Sequence, residues 1–229
     1  MRKIPKQYEG FSLVEMLLTI AIMGIITLLV ATTLTTLLKV SIVSNAKNQA
    51  RNDVNFIMEL MNRSLGNTNV ADVTLYNSNA VRIFNRDTQM VENFQALGST
   101  YQDPTLLEGI SSNEIHVRSY GYNVWSCIGY FLDEQGQGYL VKTSMYEIDD
   151  HSECFNSERD GAYVSVLHNY EVDVKDFNIE YLVIGDDGDN MFVVNTVVEP
   201  KNWPSGFNVP INKEITRQIT VSSQGLTWY

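Results

Sequence analysis

The chain has 229 residues, with 16 Lys and Arg against 27 Asp and Glu and a formal net charge of −11. Hydrophobic residues make up 44% and aromatics 10%, enough to build a core, so a wholly disordered chain is excluded. The acidic balance also argues against broad contact with a phosphate backbone, which needs Lys and Arg to displace counterions, so nucleic acid is not an expected direct partner.

The charge is unevenly spread along the chain. Residues 1–10 hold Arg2, Lys3 and Lys6 against Glu9, and residues 11–43 hold only Glu15 and Lys39. The rest, residues 44–229, keeps 12 cations and 25 acids, a net −13. The order is a basic tip, an apolar segment and an acidic remainder.

From Met16 to Leu38 there are 23 uncharged residues dense in Leu, Ile, Val, Ala and Met. That exceeds the ~20 residues a helix needs to cross a bilayer. The basic tip before it places residues 1–10 in the cytoplasm by the positive-inside rule, and the remainder outside. A cleaved secretory signal fits poorly. Its apolar region runs about 7–15 residues and ends in a small-x-small site, and Ala31-Thr32-Thr33 is a weak version of one. A simple signal-anchored membrane protein fits length and orientation but leaves Glu15 unexplained. A carboxylate at the start of a spanning helix costs a few kcal/mol unless paired, which makes it a functional candidate.

Gly10-Phe11-Ser12-Leu13-Val14-Glu15, behind a short basic leader, resembles the class III signal of type IV pilins and pseudopilins. That signal has Gly, then Phe or Met, then small or apolar residues, with Glu five places after the Gly. The resemblance implies a prepilin peptidase that cuts between Gly10 and Phe11 and methylates the new amine of Phe11. It implies a cleaved leader of residues 1–10, a retained N-terminal helix of residues 11–66, spanning the membrane at about 16–38, and a β-rich domain of residues 67–229. It further implies partners: other pilins through their N-terminal helices, and an inner-membrane assembly platform with its cytoplasmic ATPase. The residues support a role for Glu15 independently. A cut before Phe11 creates a cationic amine of ordinary pKa about 7.7–8.0, one helical turn from Glu15. In an apolar setting each would need the other, within one subunit or across two, so pairing would select register during assembly.

Past Lys39 the pattern becomes amphipathic. Val43, Ala46, Ala50, Val54, Ile57, Met61 and Leu65 recur at steps of three and four, which predicts one apolar stripe on a helix. Asn45, Lys47, Asn48, Arg51, Asn52, Asn55 and Asn62 form the opposite face, and Gly66 is the expected stop. No Pro lies between Phe11 and Leu65, so the predicted helix is continuous and about 80 Å long. Asn62-Arg63-Ser64 matches a glycosylation sequence but falls inside this helix.

From Asn67 onward, short β-branched and aromatic runs alternate with Asn, Asp and Gly, which predicts antiparallel strands. The expected strands are Val70–Tyr76, Ala80–Asn85, Glu114–Ser119, Val124–Leu132, Tyr139–Met145, Tyr163–Leu167, Asp176–Ile184, Met191–Val198 and Ile215–Ser222. Gln135-Gly136-Gln137-Gly138 and Asp186-Asp187-Gly188-Asp189-Asn190 are the expected turns. Residues 86–113 read as a loop with a short helix. The fold class is therefore α+β, a long helix on an antiparallel sheet domain, as the pilin fold would be. Asp176-Phe177-Asn178-Ile179-Glu180-Tyr181, then Trp203-Pro204 and Pro210-Ile211, are similar in order to larger minor pilins and minor pseudopilins.

Cys127 and Cys154 both fall in the part expected outside, where an even count favours a disulfide over two free thiols. Closing 27 residues would contribute roughly 3–4 kcal/mol on a chain-entropy model. The histidines (His116, His151, His168) lie at no metal-ligand spacing and read as packed or surface residues. Asp149, Asp150 and Glu153 flank His151. Asp186, Asp187 and Asp189 make an oxygen-rich turn, a weak Ca²⁺ candidate weighed against ordinary turn chemistry. No phosphate loop, HExxH, CxxC or GxSxG pattern is present, so neither catalysis nor a cofactor is expected. The expected function is a structural subunit, a minor pilin or pseudopilin. The rival readings are a tip-displayed adhesin or ligand-binding pilin, and a simple signal anchor.

Overall fold

The computed structural model describes residues 10, 12–69, 72–77, 82–93, 100–102, 111–118, 124–146, 154–156, 163–184, 189–204 and 212–223. By internal contacts the chain divides into two units, Met1–Asn45 with Pro204–Phe207, and Ala46–Trp203 with Asn208–Tyr229.

One helix, α1, runs from Leu13 to Gly66, 54 residues without a break. Nothing in that stretch stops it: Pro is absent, and Gly24 alone does not interrupt the backbone ladder. In the first unit every described residue from Ser12 to Ile42 is exposed, apolar side chains included. In the second unit one face of α1 enters a core. Ala50, Val54, Ile57, Met61 and Leu65 are buried at the predicted spacing, joined by Met58. The opposite face carries the Glu59–Arg63 ion pair.

Two sheets accompany this half of the helix. The strands are β1 (Val73–Asn77), β2 (Arg82–Asn85), β3 (Met90–Asn93), β4 (Thr100–Gln102), β5 (Ser111–Ser112), β6 (Glu114–Arg118), β7 (Val124–Leu132), β8 (Gly138–Tyr146), β9 (Ser165–Val166), β10 (Val172–Ile184), β11 (Asp189–Pro200) and β12 (Ile215–Ser222). Among the described residues, the first sheet follows β3-β2-β7-β6-β1-β4, with β8 on β7 and β9 on β8. The second follows β12-β11-β10-β5.

The α+β class stands, with corrections to its details. The sheet expected to be antiparallel is mixed in one place, because β2 meets β7 in parallel at Ile83 and Leu132. Residues 86–113, expected as a loop with a short helix, contain β3, β4 and β5. These strands have four, three and two residues, too short for alternation to register. The expected strand at Tyr163–Leu167 shrinks to Ser165–Val166. β10 begins at Val172, not Asp176, because its ladder shifts register between Val174 and Asp176. That bulge reverses the inward parity: Val172 and Val174 are buried before it, Phe177, Ile179 and Tyr181 after it. A pattern search that requires strict alternation ends the strand at the bulge.

The first sheet is buried on both faces. Toward α1 lie Val73, Leu75, Ile115, Val117, Ile128 and Leu140, in one cluster with Val174, Phe177, Ile179, Phe192 and Val194 of the second sheet. On the other face Phe84, Val91, Cys127, Phe131, Tyr139, Val141 and Phe155 form a separate cluster. Period-two alternation sends Ile128 one way and Cys127 the other.

Candidate functional site

The N-terminal segment is built on a helix start. Ser12 precedes α1, and its Oγ accepts a hydrogen bond from the Val14 amide at 3.3 Å. Glu15 Oε2 accepts one from the Ser12 amide at 3.0 Å. Ser12 thus caps the second helical amide, and Glu15, at the Ser-x-x-Glu spacing, reaches back to the Ser12 amide, satisfying backbone donors that a helix leaves without partners. Its negative side chain also sits where the helix dipole favours it. The Ser12–Glu15 spacing is legible in the sequence, although the leader pattern draws attention to Glu15 alone. The backbone at Gly10 is exposed, with no heavy atom within 4 Å of a side chain placed there. Phe11 lies outside the described residues.

Behind the cap, α1 carries a stretch long and apolar enough to cross a membrane, with mean hydropathy 2.5. Leu17, Ile20, Met23, Leu28, Leu34 and Leu37 are all more than half exposed. The threonines in this stretch do not spoil it. Thr19 donates to Met16 O at 2.9 Å, Thr32 to Leu29 O at 2.9 Å, Thr33 to Leu29 O at 2.8 Å and Thr36 to Thr32 O at 2.9 Å. Thr27 donates in the same way to Met23 O. Each hydroxyl is satisfied by its own helix, which is what a hydrocarbon surrounding requires of a polar group.

In the second unit the structure brings together residues that sequence spacing left apart. Cys127 on β7 and Cys154 are joined in a disulfide with Cα atoms 6.3 Å apart. Both are fully buried, as are Glu114 and His116 on β6. Glu114 pairs with Arg82 Nη1 at 3.0 Å, and its Oε1 lies 2.7 Å from His116 Nε2. The only sequence signal for this group is the placement of Glu114 and His116 at alternate positions of an apolar strand. Arg82 is 32 residues away and carries no such signal.

Among the described residues one group of metal-ligand type comes together, His116 with Cys127 and Cys154, and its two sulfurs are bonded to each other. Asp186 and Asp187 lie outside the described residues, as do Asp149, Asp150, His151 and Glu153. Asp189 is the first residue of β11, and its side chain is likewise undescribed.

His168 is packed in the core. Its Nδ1 donates to Asn169 O at 2.9 Å, and its Nε2 accepts the Leu140 amide at 3.3 Å. Burial pushes its pKa below the ordinary 6.5, against the backbone bond to Asn169 and the charge of Asp53. The expected hairpin turn between β7 and β8 is present. Asp133 Oδ1 accepts the amides of Gln135 at 2.9 Å and Gln137 at 2.8 Å, and Gly136 takes φ +76°.

Residues 5–31 match the prokaryotic N-terminal methylation motif. The chain carries a type IV pilin-like class III signal, and its helix with mixed and antiparallel sheets fits the pilin fold. With the apolar helix behind it, the motif supports a membrane-anchored, pilin-like or pseudopilin-like precursor. No curated protein matches the chain, and neither does any solved structure.

Proposed function

We propose that the chain is a minor pilin or minor pseudopilin, a structural subunit of a type IV pilus or a type II secretion-like filament. The prepilin peptidase cuts between Gly10 and Phe11 and methylates Phe11. The leader, residues 1–10, is discarded; residues 11–66 are the assembly helix and residues 67–229 the displayed β-rich domain. Before assembly the protein spans the inner membrane once, N-terminus inward, with the β domain outside. Assembly then moves it into an extracytoplasmic filament through the membrane platform.

The observation that carries this reading is the methylation motif at residues 5–31 running directly into an apolar helix without a polar face. A helix with that surface has to stay covered by lipid or by other helices, so leaving the membrane requires neighbours with matching helices. Glu15 is the residue assigned to recruitment, through the amine that cleavage creates.

Mass spectrometry of the mature N-terminus tests the reading. The expected first residue is N-methylated Phe11. An intact Met1, or a cut between Ala31 and Thr36, would overturn it.

A further inference from the structure

β6 reads Glu114-Ile115-His116-Val117, so alternation sends Ile115 and Val117 toward α1 and the two ionisable side chains to the opposite face. There His116 lies directly across the ladder from Cys127, and its ring centroid is 6.1 Å from that of Phe155, the neighbour of Cys154. The imidazole, the two sulfurs and the Glu114 carboxylate are all wholly buried.

One ligand atom from each of His116, Cys127 and Cys154 falls within 4.8 Å of the other two. Zn²⁺ holds sulfur at about 2.3 Å and nitrogen at about 2.0–2.1 Å, which spaces tetrahedral ligands roughly 3.5–3.8 Å apart. The imidazole is therefore within about 1 Å of its tetrahedral distance from each sulfur, while the two sulfurs, bonded to each other in the disulfide, must move apart on reduction to reach theirs. Glu114 supplies the support that metal-bound histidines ordinarily have. Its Oε1 holds His116 Nε2 at 2.7 Å, which fixes the ring plane. Arg82, at 3.0 Å, holds the carboxylate in turn.

We propose that reduction of the Cys127–Cys154 disulfide creates a buried site for one Zn²⁺-like cation, bound by both thiolates and His116, with Glu114 as the positioning residue. An external thiol or phosphine reductant supplies two electrons and two protons, which break the S–S bond and give two thiols. The cation displaces those two protons to solvent and forms two metal–sulfur bonds. Two thiolates cancel the charge of a divalent cation, and the Arg82–Glu114 pair is already neutral, so the core gains no net charge. Three protein ligands leave the fourth position to water. Metal and disulfide are alternative states of one site. In the newly made thiol form the cation ties β7 to the Cys154 segment, and oxidation by an external disulfide, which takes up the two electrons, releases it.

The test uses the full chain in detergent, reduced with a phosphine and titrated with Co²⁺ or Zn²⁺. The expected result is one Co²⁺ per reduced chain with thiolate-to-cobalt absorption, and none per oxidised chain. Zn²⁺ is expected to slow alkylation of both thiols in the same sample, a readout that needs no variant. Glu114→Gln is expected to weaken affinity about 10–100-fold while leaving the stoichiometry at one. Uptake by the reduced chain no greater than by the oxidised chain would overturn the proposal. So would thiol alkylation at the same rate with and without Zn²⁺.

Discussion

The Ser12 amide donates to Glu15 Oε2 at 3.0 Å, so the carboxylate assigned to assembly also closes the helix on which it stands. The two roles separate by substitution. Glu15→Gln keeps an oxygen that can accept the Ser12 amide but removes the charge. Ser12→Ala removes the hydroxyl that receives the Val14 amide and keeps the charge. Incorporation into filaments, read by immunoblot of the sheared fraction, is expected to fall at least about tenfold for Glu15→Gln and to stay near wild type for Ser12→Ala, because an unpaired amine in an apolar setting costs several kcal/mol. Wild-type incorporation of Glu15→Gln would show that the cap, and not the charge, is what the residue provides.

Gly138 marks the close approach of β8 to β10. A Cβ there would lie 1.9 Å from the carbonyl oxygen of Val174, and backbone cannot yield as a side chain can. The Gly138 amide also donates to Asp173 Oδ1 at 2.9 Å, so the strand cannot retreat without losing that bond. Gly138→Ala is expected to cost about 3 kcal/mol or more, or to prevent folding. Gly136→Ala, at φ +76° with open space around it, is expected to cost about 1 kcal/mol. Denaturant unfolding of the purified chain ranks the two, and an equal effect would contradict the close approach.

His168 makes stability depend on acid. Its pKa is lowered in the folded chain, mainly by burial, so the unfolded chain takes up the proton first as pH falls. The stabilisation is full above the ordinary value of 6.5 and is lost as pH drops from there through the folded value. Protonation would also put a hydrogen on Nε2, where the Leu140 amide now donates. The melting temperature is expected to hold steady above pH 7 and to decline below about 6.5. His168→Gln is expected to melt lower at neutral pH but to lose less between neutral and acid pH. A parallel decline in both proteins would assign the acid sensitivity elsewhere.

The long helix and its buried stripe were legible because both are local. Apolar residues at steps of three and four between Ala50 and Leu65 face one way on any helix, and the core receives them at those positions. The longer strands β7, β8 and β11 were legible for the same reason. β3, β4 and β5 were not, because two to four residues carry too little pattern, and β10 lost its first residues to the bulge before Asp176. At the N-terminal site the Gly10–Glu15 signal reads directly from the chain, while the bond from Ser12 to Glu15 depends on the helix beginning at Leu13.

The sequence by itself determined the class III signal, the charge-free segment from Met16 to Leu38 and the single helix that contains it. Each follows from the types and spacing of residues close together in the chain. Only the tertiary structure decided that Glu114 would meet Arg82 from 32 residues away, and that His116 would stand beside two cysteines. Strand pairing brings these groups together, and pairing is set by which faces the sheets must bury. A buried carboxylate must then find its cation wherever the fold has carried it.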